Sequence, residues 1–256
     1  MSKDSEDEIY SDSDNDNDPY KVKVFKTNKD EIFQPSCVDN ELIPKLSTSM
    51  CVIGKSGSGK TNSVISMLTN ERMLKDAFDF IYLFSGIKPD QELIEPLKLP
   101  KHQVFNDFEE DDVKKIMDKM EKTVEKNGMK NTPSVLFIFD DILGKPKFLK
   151  SSTMSKLITT NRHFNISVII MSQYFKKLPP VIRTNCSYYM IFPSSMVEIE
   201  KVSDELCPPN MSKRKFIEII QFATDDKYNF ISINTKCGSK KMLRKNFGKI
   251  IDPDQF

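Results

Sequence analysis

Met50-Cys51-Val52-Ile53-Gly54-Lys55-Ser56-Gly57-Ser58-Gly59-Lys60-Thr61 is the stretch that decides the fold. Met50–Ile53 reads as a buried strand, and Gly54–Thr61 satisfies G-x-x-x-x-G-K-[ST]. Residues 60–70 place Val64, Ile65 and Leu68 at helical spacing. The chain has eight glycines, and three of them (Gly54, Gly57, Gly59) fall in this loop, so glycine is used here for a backbone purpose. Strand, glycine loop and helix in that order make a phosphate cradle. Backbone N–H groups wrap the anion, and the helix N-terminus adds positive potential. Lys60 then reaches the β- and γ-phosphates, and the Thr61 hydroxyl ligates Mg²⁺. The candidate nucleotide-binding set is Gly54, Lys55, Ser56, Gly57, Ser58, Gly59, Lys60, Thr61 and Asn62.

Working outward, strand candidates at 21–25, 49–53, 79–84, 134–139, 166–171, 187–192 and 228–234 alternate with helical patterns at 109–127, 151–160 and 212–222. Several strands are unbroken apolar runs, as strands covered on both faces of a mostly parallel sheet should be. The expected fold class is α/β, a mostly parallel sheet flanked by helices. Val113, Ile116, Met117, Met120 and Val124 form one stripe of 109–127, which opens on acids and ends at Gly128, a dipole-matched and capped helix. No internal repeat or second-domain boundary is visible.

Two further strand ends complete the candidate site, because open α/β sheets bind ligands at strand ends. Val135–Phe139 runs into Asp140 and Asp141. Asp140 is placed to hold Mg²⁺ and Asp141 to orient or deprotonate an attacking water, although an Asp-Asp pair can also simply cap a turn. Ile166–Met171 ends in Ser172-Gln173, where Gln173 can bridge the γ-phosphate or the water, or be an ordinary loop residue.

The formal net charge of +1 conceals a division. Residues 1–18 hold eight acids and one base, whereas the other 238 residues carry 37 bases and 29 acids. Residues 1–19 therefore read as a disordered acidic tail, and 20–256 as one domain. Residues 142–197 and 227–251 contain no acid, with eight and seven bases respectively, which points to a polyanion such as nucleic acid held through its backbone, or to a solvated lysine face. No apolar run reaches the ~18–20 residues of a membrane span, and the acidic N-terminus is unlike a leader. Five dispersed cysteines and two histidines argue against a zinc or disulfide framework and for a reducing compartment. His163 reads as a packing or hydrogen-bonding residue. Only five residues are arginine. Of these, Arg162 and Arg183 could each reach the γ-phosphate of a neighbouring subunit, or cap a helix.

Gly54–Thr61, Val135–Asp141, Asn161-Arg162-His163-Phe164-Asn165-Ile166-Ser167 running into Met171-Ser172-Gln173, and Leu178–Cys186 together resemble the FtsK–HerA superfamily of P-loop, RecA/FtsK-like ATPases. The likeness is strongest to the poxvirus-type genome-packaging ATPases of large double-stranded DNA viruses and spans roughly residues 45–235. It implies a Mg-dependent ATPase with ATP and Mg²⁺ as cofactors, Thr61 and Asp140 on the metal, and Lys60, Asp141, Gln173 and Arg183 as the catalytic set. Many superfamily members carry Glu after the first Asp, so the shorter Asp141 must sit closer to the water. The resemblance also implies a homo-oligomeric ring, commonly a hexamer, that threads double-stranded DNA without sequence preference, works with capsid or portal-site proteins, inserts in no membrane, and acts at a virus assembly site in the host cytoplasm. A cellular DNA pump, a helicase and a nucleotide-gated assembly protein are the competing readings.

Overall fold

Among the described residues, the unbroken apolar runs form the centre of a nine-stranded sheet, ordered β3-β2-β4-β5-β1-β6-β7-β8-β9. A computed structural model describes residues 42–86, 91–238 and 240–256. The acidic tail, the start of the 20–256 domain and the strand candidate 21–25 lie outside the described residues. In chain order the elements are β1 (Ser49–Ile53), α1 (Lys60–Thr69), β2 (Phe80–Ser85), α2 (Gln91–Ile94), β3 (Val104–Phe105), α3 (Glu110–Asn127), β4 (Val135–Asp140), α4 (Pro146–Leu149), α5 (Ser152–Thr160), β5 (Ile166–Ser172), α6 (Pro180–Asn185), β6 (Tyr188–Ile191), α7 (Met196–Leu206), α8 (Lys213–Ala223), β7 (Ile231–Asn234), β8 (Leu243–Lys245) and β9 (Lys249–Ile250). From β3 to β6 neighbouring strands are parallel, and β7, β8 and β9 add an antiparallel extension.

Successive strand residues point to opposite faces, so each apolar run feeds two cores. Cys51, Ile53, Phe137, Phe139, Val168 and Ile170 pack with residues of α3 and α5–α8 on one face. Met50, Val52, Leu136, Ile138, Ile169 and Met171 pack with Val64, Met67 and Leu68 of α1 on the other. Burying each such side chain is worth about 1.5–3 kcal/mol, and the one polar residue inside the central strand β5, Ser167, accepts a hydrogen bond from Thr48 N. On α3 the buried residues are Val113, Met117 and Met120, three of the five in the stripe expected from spacing, with Ile116 and Val124 half-buried. Ser151 and Ser212 accept hydrogen bonds from Met154 N and Lys215 N, capping α5 and α8. Among the described residues no helix is long and apolar enough to cross a membrane.

The register brings the chemistry to one edge. Ile53 lies beside Ser172, and Ser85 beside Asp140. The ends of β1, β4 and β5 therefore emerge together.

Candidate nucleotide site

Leaving β1, the chain is held at once by its neighbours: Gly54 N donates to Ser172 O, and Phe192 N to Ile53 O. A Cβ on Gly54 would stand 2.7 Å from Phe192 Cβ, so only glycine fits where the loop departs. Gly57 and Gly59 adopt φ of 71° and 100°, which turns the loop back over the start of α1. No side chain caps α1, so its first N–H groups are left for a ligand. Ser58 Oγ is buried without a hydrogen-bond partner in the same loop. A ring of N–H donors with an orphaned hydroxyl fits a polyphosphate.

Lys60 lies across the mouth of this cradle, its Nζ donating to Gly54 O at 2.7 Å and Lys55 O at 3.0 Å. Burial lowers its pKa from the ordinary lysine value, and the nearby Asp140 and Asp141 carboxylates counteract part of that. The opposite charges are therefore close enough to sense one another across the strand ends. Asp141 follows β4 with φ 50° and ψ 43°, a left-handed conformation that Asp tolerates better than most residues. Gln173 Nε2 donates to Asp141 Oδ1 at 3.4 Å. The fold thus brings together Lys60, Asp140, Asp141 and Gln173, four residues read from three separate strands. Among the described residues no group of three or more His, Cys, Asp or Glu could hold a metal on its own. A cation at Thr61 and Asp140 would need phosphate oxygens and water to complete its shell, which is how Mg²⁺ is usually held beside a nucleotide.

A family model described as Poxvirus A32 protein matches residues 38–245. The chain belongs to the poxvirus A32 protein family. DNA packaging protein OPG160 of Vaccinia virus (strain Copenhagen) is 27% identical over 191 residues, covering 72% of this chain and 67% of that protein. Its Variola virus counterpart is 28% identical over the same length. Among solved structures, the genome packaging NTPase B204 of Sulfolobus turreted icosahedral virus 2 with AMPPCP superposes with a TM-score of 0.55 at 14% identity, over 80% of this chain and 98% of that one. EssC (ATPases 2 and 3) from Geobacillus thermodenitrificans also gives 0.55, at 13% identity, over 80% of this chain and 40% of that one. At such identities the structural likeness establishes a shared fold.

In this A32-family chain the two arginines differ sharply. Arg183 is 10% exposed. Its Nε donates to Glu205 at 2.8 Å, its Nη1 donates to Leu178 O and Lys176 O, and its guanidinium lies over the Phe175 ring. Burial raises the Glu205 carboxyl, but hydrogen bonds from Lys176 and Arg183 outweigh it and hold the group below its ordinary value. Arg183→Ala is expected to cost about 2 kcal/mol and lower Tm by about 4–8 °C in a thermal melt, because Glu205 and two carbonyls lose a charged donor. Arg162, by contrast, is exposed. Its neighbours explain why: Asn161 and Asn165 are buried, Asn161 donating to Ile166 O and Asn165, at φ 53°, to Thr132 O. Those two bonds fix the turn and push Arg162 and His163 outward. His163 is therefore exposed, which removes the packing half of the sequence expectation.

The acid-free segments also change meaning in three dimensions. Lys145 pairs with Asp107, Lys156 with Glu121, Lys176 and Arg183 with Glu205, Lys240 with Asp254 and Lys245 with Asp225. Acids from elsewhere in the chain pair with these six of the fifteen bases in the two acid-free segments. A basic cluster does remain at the opposite end of the sheet from the loop. A cleft of about 670 Å³ there is lined by Lys45, Arg162 and Lys236 and, among the described residues, by no acid.

Proposed function

We propose that this chain is an ATP-driven motor that moves double-stranded DNA and packages a viral genome into a capsid, at the virus assembly site in the host cytoplasm. The observation that carries the reading is the Gln173–Asp141 hydrogen bond beside Lys60. A carboxylate held by an amide next to the phosphate cradle is arranged to position water, a task that a protein merely binding nucleotide does not need. The A32-family membership and the DNA packaging relatives support the choice of DNA as cargo.

In this proposal Gly54–Asn62 bind the ATP phosphates, Lys60 neutralises charge on the β- and γ-phosphates, and Thr61 with Asp140 would hold Mg²⁺. The metal would supply charge neutralisation on the phosphate oxygens. Asp141 accepts the proton of the attacking water or aligns it, and Gln173 fixes the carboxylate and senses whether the γ-phosphate is present. A ring of identical subunits, commonly six, supplies one further cation from a neighbouring chain. Arg162 suits that role better than Arg183, since it is exposed in an acid-free cleft, whereas Arg183 would first have to leave Glu205 and two carbonyls. Duplex DNA would be contacted through its phosphates, and capsid or portal-site proteins would receive it.

The test is phosphate release measured with and without duplex DNA, alongside oligomer mass. Stimulation by duplexes of unrelated sequence, and binding that weakens steeply with salt as lysines release counterions, are expected. Hydrolysis indifferent to duplex DNA would overturn the motor reading and leave a nucleotide-gated assembly protein.

A further inference from the structure

The catalytic groups occupy only one flank of the phosphate loop. Along the strand ends the order is Asp140 and Asp141 on β4, Gln173 after β5, the loop after β1, then β6 and β7. With the γ-phosphate facing the carboxylates, the remainder of a nucleotide must leave the loop on the β6–β7 flank. A cavity of about 470 Å³ stands there, walled by the loop residues Lys55–Ser58, by Pro193 and Ser194 after β6, and by Thr224–Tyr228 between α8 and β7.

Tyr228 is the unusual member of that wall. The residue is 54% exposed, although aromatic side chains normally bury themselves. Its φ is 71°, a conformation rare for a bulky residue and one that persists only where the surroundings impose it. The surroundings do impose it. Asp225 accepts from Lys245 at 2.6 Å and from Asn229 at 3.1 Å, Asn229 accepts from Asn246, and Asn246 accepts from Phe230 N. This chain of polar contacts clamps residues 225–230 and presents the ring to the loop. A Cβ added to Gly59 would stand 3.1 Å from Tyr228 Cδ1, so the absent side chain at Gly59 makes room for the ring as well as for phosphate. Lys227, with its ammonium 4.8 Å from the ring centroid, sets a second positive charge on the cavity wall beside Lys55.

We infer that this cavity is the nucleobase pocket of the triphosphate site, with Tyr228 as the platform on which the base stacks. A flat aromatic face next to a polyphosphate cradle, on the side away from the reacting phosphate, offers what a base requires and a phosphate does not. The inference rests on the phosphate-loop reading, and the experiment separates the two by using a ligand without a base. Binding of ATP and of inorganic tripolyphosphate, each with Mg²⁺, is measured by calorimetry for the full-length protein and for Tyr228→Ala, Tyr228→Phe and Lys60→Ala. Tyr228→Ala should weaken ATP binding about tenfold or more while tripolyphosphate changes by less than about twofold, and Tyr228→Phe should bind both as the parent does. Lys60→Ala should weaken both ligands. ATP affinity unchanged in Tyr228→Ala overturns the inference, as does an equal loss for both ligands, which would mean that the ring acts through the loop. A defect confined to DNA binding would overturn it too, assigning the ring to DNA instead. If Lys60→Ala leaves tripolyphosphate binding intact, the phosphate-loop reading fails by itself, whatever Tyr228 does.

Discussion

Lys60→Ala is expected to reduce ATP hydrolysis by about a hundredfold or more, measured as steady-state phosphate release, because it removes the cation held across the mouth of the loop against developing phosphate charge. Magnitude and selectivity both follow from the geometry. The ammonium is held by Gly54 O and Lys55 O and is partly desolvated, so it enters the reaction already oriented and with part of its hydration removed. That pre-positioning gives it more leverage in the transition state than a surface lysine would have. Stability should hardly move. The loop turn is set by Gly57, Gly59 and the Ser58 N–Lys55 O bond rather than by the lysine, and α1 is anchored by Val64, Met67 and Leu68. Lys60→Arg should be nearly as inactive, since a planar fork cannot replace a compact ammonium inside a loop this tight. A melting curve matching the parent, together with lost hydrolysis, is the expected pair of results. Retained hydrolysis would remove the foundation of the phosphate-loop assignment.

What the sequence revealed and what it hid have a common physical origin. The β1–loop–α1 unit, β4 with its two aspartates and β5 with Gln173 were legible because each is a local pattern, an apolar run ending in chemistry. The short β3, β8 and β9 were not, since two or three residues carry no periodicity, and α7 lies outside the helical patterns of the sequence analysis although Ile199, Val202 and Leu206 follow helical spacing. Charge was legible only in one dimension. Residues 142–197 hold no acid, yet Lys145, Lys156, Lys176 and Arg183 find Asp107, Glu121 and Glu205 across the fold. Tyr228 follows the same logic. A lone aromatic after an acidic turn has no signature, and only packing sets it against Gly59. For the two arginines, spacing left both open, and the resemblance pointed to Arg183 in Leu178–Cys186 as the reaching residue. The difference lies in what surrounds each guanidinium, which spacing does not encode.

That difference leads to the second large effect. Arg162→Ala is expected to lower hydrolysis by about a thousandfold if its guanidinium stabilises charge on a neighbouring subunit's γ-phosphate, the scale typical of such fingers. Loss of activity alone would not separate a trans contact from local damage, so the decisive measurement mixes subunits. Arg162→Ala chains keep an intact cradle, Asp141 and Gln173, whereas Asp141→Asn chains keep Arg162 but cannot position water. In a mixed ring, an Arg162→Ala site that receives Arg162 from an Asp141→Asn neighbour is complete again. Part of the activity should therefore return on mixing two nearly inactive proteins. The same mixture made with Arg183→Ala should show no such recovery, because Arg183 braces its own chain through Glu205, and its loss should register in the melt rather than at the neighbour's phosphate. Recovery with Arg183→Ala and none with Arg162→Ala would reverse the assignment. It would mean that the Glu205 pair opens when subunits meet, turning what is a structural brace in the single chain into a latch released by assembly.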